Sequence, residues 1–203
     1  MPCHPRILTL LIALIAAVAF AARADDIEVQ EANLWAADEG LVLNVEFAFD
    51  FNSKLADAVS NGVPLYFVIE FELTRPRWYW FDQRTASKRQ QVRLSYHALS
   101  RHYRLSTGLL QQNFETLEGA LAVLRRVDNW LVVGRTVSLS DARYEAAVRM
   151  RLDLALLPKP IQISAYTSNA WHLESAWKRF PLRAPQQPPA PVESREPIEA
   201  PTQ

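Results

Sequence analysis

Leu65-Tyr66-Phe67-Val68-Ile69-Glu70-Phe71-Glu72-Leu73-Thr74 decides the architecture. Leu65, Phe67, Ile69, Phe71 and Leu73 fall on one face of an extended chain, and Glu70, Glu72 and Thr74 on the other. Successive side chains of a strand point to opposite sides, so this is a half-buried β-strand with one wet face. The same period recurs on either side of it. Leu41, Leu43, Val45, Phe47 and Phe49 oppose Asn44, Glu46 and Asp50. Further on, Tyr144, Ala146, Val148, Met150, Leu152 and Leu154 oppose Glu145, Arg149, Arg151 and Asp153. Shorter strands are predicted over Ile27 to Trp35, Arg77 to Phe81, Gln90 to His97, Tyr103 to Ser106 and Trp130 to Leu139. Asp38-Glu39-Gly40 offers a hairpin turn between the first two.

Two segments change to the helical period. Ser53 to Ser60 reads as a short helix capped by Asn52 or Ser53 and stopped by Asn61-Gly62. Phe114, Leu117, Leu121 and Leu124 make one stripe of a helix from about Asn113 to Val127. The expected fold is mainly β: an antiparallel β-sandwich or curved sheet with one or two short packed helices. The chain has five glycines, all isolated, which excludes a Gly-rich phosphate-cradling loop.

The ends differ from this body. Arg6 precedes an unbroken run of fourteen residues, Ile7 to Phe20, apolar apart from Thr9, and Ala22-Arg23-Ala24 follows. Charge, apolar run and small residues at the −3 and −1 positions make a secretory signal, cleaved ahead of Asp25; the alternative is an uncleaved anchor. The single cysteine, Cys3, leaves with it, so the domain over 25–183 has no disulfide and holds itself by packing. Residues 184–203 carry six prolines and no aromatic, the composition of a disordered or polyproline spacer. Loss of the signal removes Arg6 and Arg23 and no acid, leaving 20 basic against 22 acidic residues. That balance gives no reason to expect nucleic acid as a partner.

Several blocks carry a resemblance. They are Gly62-Val63-Pro64-Leu65, Arg77-Trp78-Tyr79-Trp80-Phe81-Asp82, and Leu94-Ser95-Tyr96-His97 leading into Tyr103-Arg104-Leu105. Phe114 to Leu121, Leu157-Pro158-Lys159-Pro160-Ile161-Gln162, Trp171-His172-Leu173 and Trp177 follow in order. Over about Ile27 to Leu182 they resemble a proteobacterial exported family, the domain of unknown function 4390, some members of which are called "proline-rich signal peptide protein". The resemblance implies a periplasm-facing protein, with a link to a membrane sensor kinase of the nitrogen-regulation type. It brings no catalytic residue.

No constellation defines a reaction. Trp78 and Trp80 share one face of a strand, and with Arg77 they are the candidate ligand-binding residues, a stacking platform for a sugar, peptide or lipid. The competing reading places one pair of the block, Trp78 with Trp80 or Tyr79 with Phe81, in the core and the other half-buried against a loop or helix. His97 and His102 face each other if Ala98 to Arg101 is a hairpin loop, but spacing places no third metal ligand beside them. Glu70 and Glu72 lie on one strand face, spaced for acid–base work or, more simply, for pairing with arginines of a neighbouring strand. Arg75, Arg77, Arg84, Lys88, Arg89 and Arg93 form a basic stretch that suits a solvated face, anionic lipid or an acidic partner. Pro158 and Pro160 end the preceding strand, and Trp171 and Trp177 are expected on a last strand or docked segment. The expected function is non-enzymatic binding of an envelope protein, with peripheral membrane contact and no cofactor. The sequence sets no oligomeric state.

Overall fold

The computed structural model describes residues 27–76, 79, 83–135 and 143–182. Among these are nine strands and three α-helices. The chain starts with β1 (Glu28–Ala37) and β2 (Gly40–Ala48), joined through Asp38-Glu39 as a tight hairpin. β7 (Arg126–Gly134) pairs with β2 and completes a three-stranded antiparallel sheet in the order β1-β2-β7. Gly40 is required where these strands meet. Its φ is +140°, and a Cβ there would lie 2.0 Å from the Val133 carbonyl oxygen.

The second sheet has six strands in the order β6-β5-β4-β3-β8-β9. They are β3 (Leu65–Arg75), β4 (Gln83–His97), β5 (His102–Thr107), β6 (Leu110–Phe114), β8 (Glu145–Leu152) and β9 (Lys178–Pro181), antiparallel throughout. The deciding stretch is its central strand. The two sheets share one core, in which Leu43, Val45 and Phe47 of β2 meet Phe67, Ile69 and Phe71 of β3 and Val148 and Met150 of β8. Phe49 stacks on Phe67 with centroids 6.1 Å apart, and Trp130 of β7 meets Phe71 edge-on at 6.5 Å. A bridge from Ile27 to Ser175 ties the start of the first sheet to the segment just ahead of β9.

Helix α1 (Ser53–Ser60) sits where the sequence places it. The Asn52 side chain accepts from the Leu55 amide at 3.0 Å, and Leu55 and Val59 are buried. Helix α2 is shorter than the expected Asn113–Val127: it spans Leu117–Leu124. Thr116 Oγ1 accepts from the Gly119 amide at 3.1 Å and fixes the start, while Phe114 is committed to pairing with Tyr103 in β6. Beyond the helix, Arg126 already pairs with Glu46, so β7 begins before the expected Trp130.

Helix α3 (Lys159–Thr167) was not expected. Pro160 lies in its first turn, where a missing amide hydrogen breaks no helical bond, so a proline read as a stop is a start. With α3 the described residues hold three short helices, and the fold is mainly β as expected. Trp171 follows on a one-turn 3-10 helix and is buried; Trp177 is half-buried just ahead of β9, so neither belongs to the last strand.

Candidate functional site

The outer face of the six-stranded sheet is built around one carboxylate. Tyr66, Val68, Glu70, Glu72 and Thr74 alternate with the core residues of β3 and point away from the first sheet. In register, Glu70 lies opposite Arg89 on β4 and Arg149 on β8, and Tyr66 lies opposite Arg93. Glu70 is 7% exposed, an expensive place for a charge without partners. The partners are present. Arg89 reaches Glu70 Oε1 at 2.5 Å, and Arg149 donates to Oε2 from Nε at 2.7 Å. Arg151 approaches the same oxygen at 3.8 Å. Arg149 is itself held by Glu174 at 2.8 Å and by the Trp177 ring, whose centroid is 4.7 Å from the guanidinium carbon. Glu72 pairs with Arg84 at 3.2 Å.

Burial alone would raise the Glu70 pKa, but hydrogen bonds and charge attraction from Arg149 and Arg89 outweigh it and hold the carboxyl below its ordinary range. A group held ionised by guanidiniums is poorly placed to deliver a proton. The two glutamates thus match the arginine-pairing expectation rather than an acid–base pair.

Two clefts flank Arg89. One, of about 440 Å³, is lined by Glu70, Glu72, Arg84, Lys88, Arg89, Arg149 and Trp177; both carboxylates are held by lining arginines, which leaves the cleft basic overall. The other, of about 610 Å³, opens beside β4 where β5 ends. Tyr66 and Trp130 give it aromatic surface, Gln91 and Gln111 give it amides, and Arg89 and Arg93 give it charge; no carboxylate lines it. The Arg93 guanidinium lies 5.9 Å from the Tyr66 ring centroid, and among the described residues it makes no ion pair. Leu109 and Leu110, at the turn beside this cleft, are almost wholly exposed at 101% and 73%.

The basic stretch of the sequence therefore contributes Arg89 and Arg93 to a real concavity. Tyr66, Trp130 and Gln111 were not foreseen in it, because only the assembled fold brings β3, the β5–β6 turn and β7 of the other sheet to one cleft beside β4. The candidates Arg77, Trp78 and Trp80 lie outside the described residues. Their neighbour Tyr79 is described: it sits in a turn between β3 and β4 and is 68% exposed, so the strand expected over Arg77 to Phe81 does not include it.

His97 and His102 do face each other across the β4–β5 hairpin. Their ring nitrogens are engaged locally. His97 Nδ1 lies 3.2 Å from Ser100 Oγ, and His102 Nδ1 contacts the Ser100 carbonyl oxygen. Among the described residues no three His, Cys, Asp or Glu side chains are grouped to hold a metal ion, and no helix is long and apolar enough to cross a membrane.

Fold and surface define a mainly β domain of two antiparallel sheets on one core, with charged clefts on its larger sheet. A family model described as "Domain of unknown function (DUF4390)" matches residues 24–181, and the chain belongs to that family. No curated protein and no solved structure matches it.

Proposed function

We propose that this chain is an exported, non-enzymatic binding domain that faces the periplasm and docks an envelope protein through the cleft beside β4. The observation that carries the reading is the charge of that cleft. Arg89 and Arg93 line it without a carboxylate, in a chain whose formal net charge is zero. The Arg93 guanidinium makes no ion pair among the described residues, whereas Arg89 is shared with Glu70, so the charge that Arg93 leaves uncompensated is what attracts anionic groups to the cleft. Export rests on the apolar run Ile7 to Phe20 and on Ala22-Arg23-Ala24. The resemblance drawn from the sequence adds a membrane sensor kinase as the class of partner.

Export is tested by N-terminal sequencing of the protein from cells, which should begin at Asp25; Met1 or Pro2 as the first residue refutes cleavage. Docking is tested by placing a photo-crosslinking residue at Gln91 or Gln111 in turn, with Asn33 on the other sheet as control. A discrete adduct from the cleft positions and none from Asn33 is the expected outcome. No adduct from either cleft position contradicts the reading.

A further inference from the structure

Strand β4 is longer than its neighbour. β3 pairs with it from Gln83 to Leu94, but β5 covers its other side only from Val92 to His97. Thr107 pairs with Val92, and Gly108, with φ +59°, then turns the chain into β6. From Ala86 to Gln91, among the described residues, no strand pairs with the second edge of β4. Past the bulge at Thr85, every other residue of this stretch turns its N–H and C=O away from β3. β7 passes beside this edge and contributes Trp130 to the cleft, but it pairs only with β2.

We propose that this edge and the cleft beside it take an acidic, extended peptide segment of the partner protein, which adds to the sheet in the lane that β5 vacates. The inference rests on the docking reading above and names its occupant. Two independent features select that occupant. Open backbone donors and acceptors are matched by another extended peptide backbone and by few other ligands. Lys88 stands along the open segment and Arg93 just beyond it, both without an ion pair among the described residues, while Arg84 and Arg89 are matched by Glu72 and Glu70; the two uncompensated cations disfavour a basic or second identical strand and favour carboxylates. Gln91 and Gln111 can bond side-chain carbonyls or carboxylates, and the exposed Leu109 and Leu110 offer an apolar contact at the end of the lane.

The test is a fluorescence anisotropy titration of the full mature chain with a labelled peptide of alternating Glu and Val, about eight residues long to run along the open segment and reach Arg93. Saturable binding is expected. Replacing every Glu by Lys should weaken it at least about tenfold, as should Arg93→Ala with an unchanged unfolding midpoint. Two further peptides carry N-methyl groups on alternate backbone nitrogens, one in each phase. The phase that faces β4 should lose at least about tenfold in affinity, because its donors are gone while its charge is kept.

Equal binding by both methylated peptides and the parent overturns strand addition. Lack of saturable binding by the parent overturns it too, as does binding only to phosphatidylglycerol vesicles. A crosslink from Gln91 alongside any of these results leaves docking standing and removes only the strand-addition mode. Failure of the crosslink itself removes docking.

Discussion

At the scale of single residues, Glu70 is the most constrained group on the outer face. It lies 7% exposed between Arg89 and Arg149, and its lowered pKa signs its contribution to stability. A carboxyl whose pKa is lower folded than unfolded stabilises the fold above the unfolded value. That stability is lost as pH falls through the folded value. Urea midpoints measured across the acid range should therefore fall with pH in the wild type, and fall less steeply in Glu70→Gln. At neutral pH, Glu70→Gln should cost about 2–3 kcal/mol, less than breaking a fully buried pair because Arg89 reaches water. Phe71→Ala, on the opposite face of the same strand, should cost about 3–5 kcal/mol by leaving a cavity beneath Trp130. Both roles were legible in the alternation of Leu65 to Thr74, since a glutamate on the wet face of a central strand calls for cross-strand arginines. The fixing of Arg149 by Trp177 was not legible, because those residues meet only through the docking of the segment that leads into β9 against β8.

At the scale of elements, caps and turns separate what sequence showed from what it hid. Asn52 reads as a cap and is one, yet its amide also donates to the Ala170 carbonyl at 2.9 Å, tying α1 to the turn before Trp171. Asn52→Ala should therefore cost about 2 kcal/mol in chemical denaturation, roughly a cap plus one further hydrogen bond. Gly40 and Gly62 make a paired test. Both have positive φ, but a Cβ at Gly62 meets nothing within 4 Å, whereas at Gly40 it runs into the Val133 backbone. Gly62→Ala should cost about 1–2 kcal/mol from conformation alone. Gly40→Ala should cost on the order of 3 kcal/mol or more, since backbone must move. Helices α2 and α3 show the limits of periodicity. The stripe Phe114, Leu117, Leu121 and Leu124 spans a strand end and a helix, because an apolar side chain facing the core reads alike from either. Pro160 is ambiguous for a different reason: at a helix start it satisfies geometry that it would break in the interior.

At the scale of the whole molecule, the period-two runs Leu41 to Phe49, Leu65 to Leu73 and Tyr144 to Leu154 announced a layered β fold, because each demands another apolar face to cover it. Which strand lies beside which was not written in those runs. The order β6-β5-β4-β3-β8-β9 is what leaves the Ala86 to Gln91 edge of β4 open and sets Arg89, Arg93 and Tyr66 together, and the packing of the first sheet adds Trp130 to the same cleft. The aromatic block Trp78 to Phe81 drew attention in the sequence by composition. The basic cleft draws it by placement, which only the sheet order provides. The claim on which the binding account turns is that this edge is free to pair. Residue-resolved amide hydrogen exchange on the mature chain measures it directly. Alternate amides from Ala86 to Gln91 should exchange much faster than those from Val92 to Leu94, which sit between two strands. Continuous protection from Ala86 through Leu94 would contradict the account, since it would mean that this edge is already covered.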